Sequence, residues 1–196
     1  MWWLKQDIRS RLHLAMHVIG ILATAGMLGG CFQPLYGEHS LAATATTPGG
    51  GSVATAMAGV DVAQIDAPAG SPQARVAVEL RNQLLFNLTG GGATPAPQYR
   101  LAVRIQPART SVIVDINSGR PDVEDYSLNA TYTLTDIKTG RVLFTSSAIG
   151  RVSYDIPGEA QRFARARGLR DSENRAAKEI ADAIRTRLAS YFVAGA

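Results

Sequence analysis

Cys31 is the one cysteine of the chain, and the residues before it set what its thiol can do. The stretch Leu28-Gly29-Gly30-Cys31 puts Leu three positions upstream, two small residues between, and the thiol next, the form of a bacterial lipobox. In that setting the sulfur is alkylated by a diacylglyceryl group, the chain is cut before Cys31, and the new amine is acylated. Lys5, Arg9 and Arg11 make a basic n-region and residues 14–28 a mostly apolar h-region, so residues 1–30 read as a signal peptide. The competing readings are a buried small hydrophobe for Cys31 and a membrane span for the apolar run. A span needs about 20 apolar residues, whereas this run is shorter and contains His17 and the glycines Gly20 and Gly26. One acyl chain binds a membrane marginally, at ~0.8 kcal/mol per buried methylene, while two or three anchor a protein firmly. Phe32 follows Cys31 where an Asp would signal retention in the inner membrane, which points to the outer membrane of a Gram-negative cell.

Few other residues could do covalent chemistry. His39 is the only histidine left after cleavage, so no Ser-His or Cys-His pair and no histidine metal site can form. Asp122, Glu124 and Asp125 lack the spacing and glycine of a calcium loop and read as a solvated turn. Gly90-Gly91-Gly92 is followed by Thr94-Pro95 and not by the Gly-Lys-Ser/Thr of a phosphate-binding loop, so it reads as a helix stop. The expectation is a protein that is not an enzyme, with no cofactor and no metal. A carboxylate-based, membrane-anchored periplasmic hydrolase stays open as a third reading.

Binding chemistry is better represented. Arg100 and Arg104 fall on the same polar side of an alternating segment, and Lys138 and Arg141 flank a Lys-Thr-Gly hairpin tip. Planar guanidinium groups match phosphate oxygens, and Lys serves as a point charge. These four are the candidate contacts for a phosphate-bearing ligand, against the plain alternative of a solubilising strand surface.

The elements that must position them follow from periodicity. Cleavage would leave residues 31–196, long enough for one domain with a sizeable core. Three of the 20 Lys and Arg and one of the 16 Asp and Glu lie in the signal, so the mature part is close to neutral and its basic pI says little about nucleic acid. Residues 31–59 comprise the lipidated end and an Ala/Thr/Gly-rich segment with hardly any charge, which predicts a flexible tether. Residues 60–65 predict a short strand. Ser71-Pro72 is a helix start, and Val76, Leu80, Leu84 and Leu88 recur at a spacing of four. Tyr99, Leu101, Val103 and Ile105 alternate with Arg100, Ala102, Arg104 and Gln106, and residues 110–116 continue that period. A strand over about 126–136 turns through Lys138-Thr139-Gly140 into a partner over about 141–153. Residues 162–170 predict a first helical segment, and Asp171 or Ser172 a cap for a main helix carrying Ala177, Ile180, Ala181, Ile184, Leu188 and Phe192 on one stripe. On its charged face Arg175 is expected to pair with Glu179. The fold class is α+β: a two-layer sandwich over 60–196, with two helices on one face of a mainly antiparallel or mixed sheet of four to five strands. The other sheet face would be polar and open.

Cys31-Phe32-Gln33-Pro34-Leu35-Tyr36-Gly37 resembles the mature start of the lipopolysaccharide-assembly lipoprotein family LptE, in which the lipobox cysteine runs into a Gly-Phe-x-Pro-Leu-Tyr type of segment. Here Phe32 follows the cysteine directly, without the glycine. Leu80-Arg81-Asn82-Gln83-Leu84, Tyr99-Arg100-Leu101, Ala130-Thr131-Tyr132-Thr133-Leu134-Thr135-Asp136 before Thr139-Gly140, and Arg175-Ala176-Ala177 through Ile184-Arg185-Thr186-Arg187-Leu188 extend the resemblance over nearly the whole mature chain. The resemblance implies an outer-membrane lipoprotein that sits in the lumen of the β-barrel LptD, helps it fold, and binds lipopolysaccharide during delivery to the outer leaflet. Arg100, Arg104, Lys138 and Arg141 would then meet lipid A or core phosphates. An auxiliary lipoprotein of an ABC-type lipid transporter would share the anchor and the fold class, and is the second reading.

Overall fold

A computed structural model of the chain describes residues 46–47, 50–92, 95–114, 121–156 and 162–195. The signal peptide, Cys31, the first part of the expected tether and residues 115–120 lie outside the described residues, as does the side chain of Asp122. The described elements run α1 (Val53–Ala58), β1 (Val60–Val62), α2 (Pro72–Thr89), β2 (Tyr99–Val114), β3 (Pro121–Asp136), β4 (Val142–Asp155) and α3 (Arg162–Ala194).

The sheet order is β1-β2-β3-β4, with β1 parallel to β2 and the other three strands an antiparallel meander. α2 and α3 pack on each other, and α3 lies along β3 and β4, giving the two-layer α+β sandwich expected from the period of the sequence. Val76, Leu80, Leu84 and Leu88 of α2 and Ile180, Ile184 and Leu188 of α3 are buried over the inward residues Leu101, Leu128 and Leu134 of the sheet. Burying one such side chain contributes about 1.5–3 kcal/mol, so this layer dominates the stability of the fold.

Local chemistry sets the ends of the elements. Ser71 Oγ accepts the Ala74 N–H at 3.1 Å, with Pro72 at the first helical position. Gly90, at φ 63, closes α2 by donating its N–H to the Phe86 carbonyl. At the far end of α3, Phe192 packs on Tyr99 with ring centroids 5.1 Å apart and Tyr191 on Phe144 at 5.0 Å, which ties the helix terminus to the sheet.

Some boundaries differ from the sequence-based expectation, each for a physical reason. The last part of the expected tether is α1, because Val53 and Met57, one turn apart, are both buried against α2 and α3. The two expected C-terminal helices are one helix of 33 residues: Ser172 is buried, and its Oγ donates back to the carbonyls of Gly168 and Leu169 instead of capping a new start. Arg175 pairs with Asp171 at 3.5 Å and not with Glu179, whose carboxylate accepts the backbone N–H of Arg151 at 3.3 Å. Glu124 and Asp125 belong to β3, which starts at Pro121, and not to a solvated turn. Glu124 accepts the Tyr154 hydroxyl and pairs with Arg165 at 3.5 Å, while Asp125 accepts Ser153 Oγ at 2.6 Å.

β1 covers only the first residues of β2, so the remainder of that edge needs protection. Gln73 Nε2 donates to the Ile105 carbonyl at 3.1 Å. Pro107, two residues on and facing the same edge, has no N–H to offer a further strand.

Candidate functional site: the open sheet face

In a strand, alternate side chains take opposite faces. Burial of Leu101, Val103 and Ile105 under the helices therefore puts Arg100, Arg104 and Gln106 on the uncovered face. The register aligns Arg100 with Thr135 and Arg104 with Thr131, and Thr131 with Ser147 on β4. Thr133 and Thr145 share a hydrogen bond of 3.1 Å between their hydroxyls on the same face. The face thus carries short hydroxyl side chains around Arg100 and Arg104, with Arg151 farther along β4 and the exposed apolar residues Val142 and Ile149 among them.

Four residue steps of extended chain run from Arg100 to Arg104, about 13 Å at ~3.3 Å per residue, too far to grip one phosphate together. They suit two anionic groups on one large ligand. Arg100 has a partner within the domain: its Nε lies 3.4 Å from Asp61 Oδ2, and both side chains are substantially exposed. An exposed pair of this kind is worth about 0–1 kcal/mol, so a phosphate can displace Asp61 at little cost.

Lys138 and Arg141 are exposed on the β3–β4 turn, the end of the sheet where Tyr99 aligns with Asp136. The turn is fixed by Asp136, whose Oδ1 accepts the Thr139 N–H at 2.8 Å, and by Gly140 at φ 70. That hydrogen bond first, and the charge of Lys138 last, hold the Asp136 carboxyl below the usual carboxylate range, against a smaller opposing effect of burial. Arg100, Lys138 and Arg141 therefore gather at one end of the open face, and Arg104 stands apart toward its middle.

The LptE lipopolysaccharide-assembly family model matches residues 57–188, from the end of α1 to the last turns of α3. The chain belongs to the LptE family. That makes it a member of a non-enzymatic family of lipopolysaccharide-assembly lipoproteins. Solved structures show the same LptE-like fold. A lipoprotein from Caulobacter crescentus superposes with a TM-score of 0.56 at 19% identity, over 73% of this chain and 96% of that one. The rare lipoprotein B from Shewanella oneidensis gives 0.50 at 12% identity, over 69% and 96%. No curated protein matches the chain. Among the described residues, no helix is long and apolar enough to cross a membrane.

One polar cluster escaped the sequence reading. Glu173 is buried in α3 and pairs with Arg75 of α2, beside Tyr126, which is 2% exposed. Its signal was present: Glu173 precedes Ala177 by four residues and so continues the apolar stripe of α3 with a carboxylate.

Proposed function

We propose that this LptE-family chain is an outer-membrane lipoprotein that assists assembly of the LptD β-barrel from within its lumen and binds lipopolysaccharide on the way to the outer leaflet. The observation that carries the reading is the family match together with a sheet whose uncovered face is polar. The lumen of an outer-membrane barrel is polar, and hydroxyls and arginines there keep partners that an apolar face would lack. In this reading Cys31 carries the lipid, residues before α1 act as a tether to the domain, and the anchor raises the effective concentration of the domain at the barrel.

Arg100, Arg104, Lys138 and Arg141 are the residues assigned to lipopolysaccharide phosphates. Reversing Arg100 and Arg104 together to Glu puts two negative charges where phosphates would bind, on side chains that contribute nothing to the core. Capture of lipopolysaccharide by this variant is expected to fall at least tenfold, with an unchanged unfolding midpoint. Capture equal to wild type removes the two arginines from the site.

A further inference from the structure

A second surface lies where the start of α2 and the first turns of α3 meet β2 and β3. Ser71, Pro72, Pro107, Ala108, Leu169 and Tyr126 line most of a cavity of about 320 Å³ between the start of α2, β2 and α3, with Gln73, Arg109 and Glu173 completing its wall. This is the lower end of the ~300–1,000 Å³ that small-molecule sites occupy. Among the described residues the Tyr126 hydroxyl is buried and meets no hydrogen-bond partner. A buried hydroxyl left unpaired forfeits its hydration without return, so the fold retains it at a disadvantage.

The cavity continues outward. Ser71, Pro72, Leu169 and Glu173 also line a groove between α2 and α3 that adds Ala74, Val78 and Ala166, and Ala166 and Arg170 carry it on to Phe163 and Arg167. Val78 is 60% exposed and Phe163 84%, apolar side chains standing in water along the groove. Its rim is cationic: Arg75, Arg109, Arg167 and Arg170, while the one carboxylate within it, Glu173, is engaged by Arg75. Arg75 and Arg109 are also the charges that oppose the effect of burial on the Tyr126 hydroxyl. An open apolar trough with a cationic rim and a hydroxyl in need of an acceptor fits an anionic amphiphile better than a peptide, whose backbone groups would go unpaired against these apolar side chains.

We infer that the trough between α2 and the first turns of α3 binds a single acyl chain bearing a phosphate headgroup, the chain over Val78, Ala166 and Phe163 and the phosphate toward the arginines. The inference rests on the proposed function only for placing the domain among lipids. The site is separate from Arg100 and Arg104, so the two can fail independently.

The test uses the full chain in phosphatidylcholine nanodiscs and a photoactivatable dodecyl phosphate, with labelled peptides located by mass spectrometry. Label is expected on 72–78 and 163–173, competed by dodecyl phosphate and not by dodecanol or inorganic phosphate. Tyr126→Phe keeps the ring and removes the orphan hydroxyl. It should lower labelling roughly tenfold, the loss expected for one charge-assisted hydrogen bond, while raising the unfolding temperature of the free chain. Arg167→Glu with Arg170→Glu should lower labelling more than tenfold. Label spread evenly along the chain, or equal in both variants and wild type, overturns the inference. Full label in an Arg100→Glu, Arg104→Glu chain that no longer captures lipopolysaccharide upholds it, whereas lipopolysaccharide capture by a wild-type chain that takes no label at the trough sinks the trough alone.

Discussion

Gly150 of β4 lies directly under Ala176 of α3, so close that a Cβ built on the glycine would stand 2.6 Å from the Ala176 carbonyl oxygen and 3.1 Å from its Cα. The obstacle is helix backbone, which cannot rotate aside. Paired with a helix residue as small as alanine, this glycine lets α3 settle onto the sheet at its closest approach. Gly150→Ala should therefore destabilise the domain by about 1–3 kcal/mol, the usual cost of overpacking, read as a lower urea midpoint. A variant as stable as wild type would mean that α3 does not cross β4 at this point.

The seam between the helices makes a second prediction. Leu84 and Ile184 are fully buried, and truncation of either to Ala should cost about 2–5 kcal/mol through lost transfer energy and the cavity left behind. Phe86, 64% exposed on the outer side of α2, is the control: Phe86→Ala should move the midpoint little.

Arg75 is partly exposed but neutralises the buried Glu173. Removing it leaves a charge in the interior without its partner, and Arg75→Ala should cost about 3–5 kcal/mol. The double variant Arg75→Ala with Glu173→Leu should recover most of that loss, which a double-mutant unfolding series would measure directly.

Two groups tie stability to pH, in opposite directions. Burial first, and the hydrogen bond to Glu124 next, push the Tyr154 hydroxyl up to about 12. The folded state holds this proton more tightly than the unfolded one, so the contribution is complete below the unfolded value near ~10 and is lost as pH rises toward about 12. The stability gap between wild type and Tyr154→Phe should narrow over that alkaline range. Asp136 is held low by the Thr139 N–H, so its contribution is present above the ordinary Asp value and disappears as pH falls through the lower folded value. Wild type should exceed Asp136→Ala at neutral pH and converge with it in acid; parallel curves would show that the turn does not depend on the charged carboxylate.

Much of this architecture is legible in the sequence because simple periods govern it. The spacing of four in Val76, Leu80, Leu84 and Leu88 and the alternation through Leu101, Val103 and Ile105 correspond directly to buried faces. The same alternation puts Arg100 and Arg104 outside without any knowledge of tertiary structure. What the sequence conceals depends on contacts between distant segments. Ser172 reads as a cap until its hydroxyl is seen bonded to Gly168 and Leu169. Val53 and Met57 are two apolar residues in a bland stretch, and only α2 and α3 give them something to cover. The trough joins residues from 71 to 173, and no local pattern joins Tyr126 to Glu173.

The anchor has its own test. Cys31→Ala removes the only thiol that could carry a diacylglyceryl group, and the variant should leave the outer-membrane fraction for a soluble or inner-membrane one. Fractionation unchanged from wild type would contradict lipidation at Cys31.

The central claim is a working partnership with an outer-membrane barrel, and co-purification tests it most directly. Tagged full chain expressed in its own host is recovered from detergent-solubilised outer membranes and its major partner identified by mass. The account predicts one large β-barrel protein in near-equal amount. Recovery of an inner-membrane ATPase or permease with no barrel would contradict it and assign the chain to lipid transport at the inner membrane.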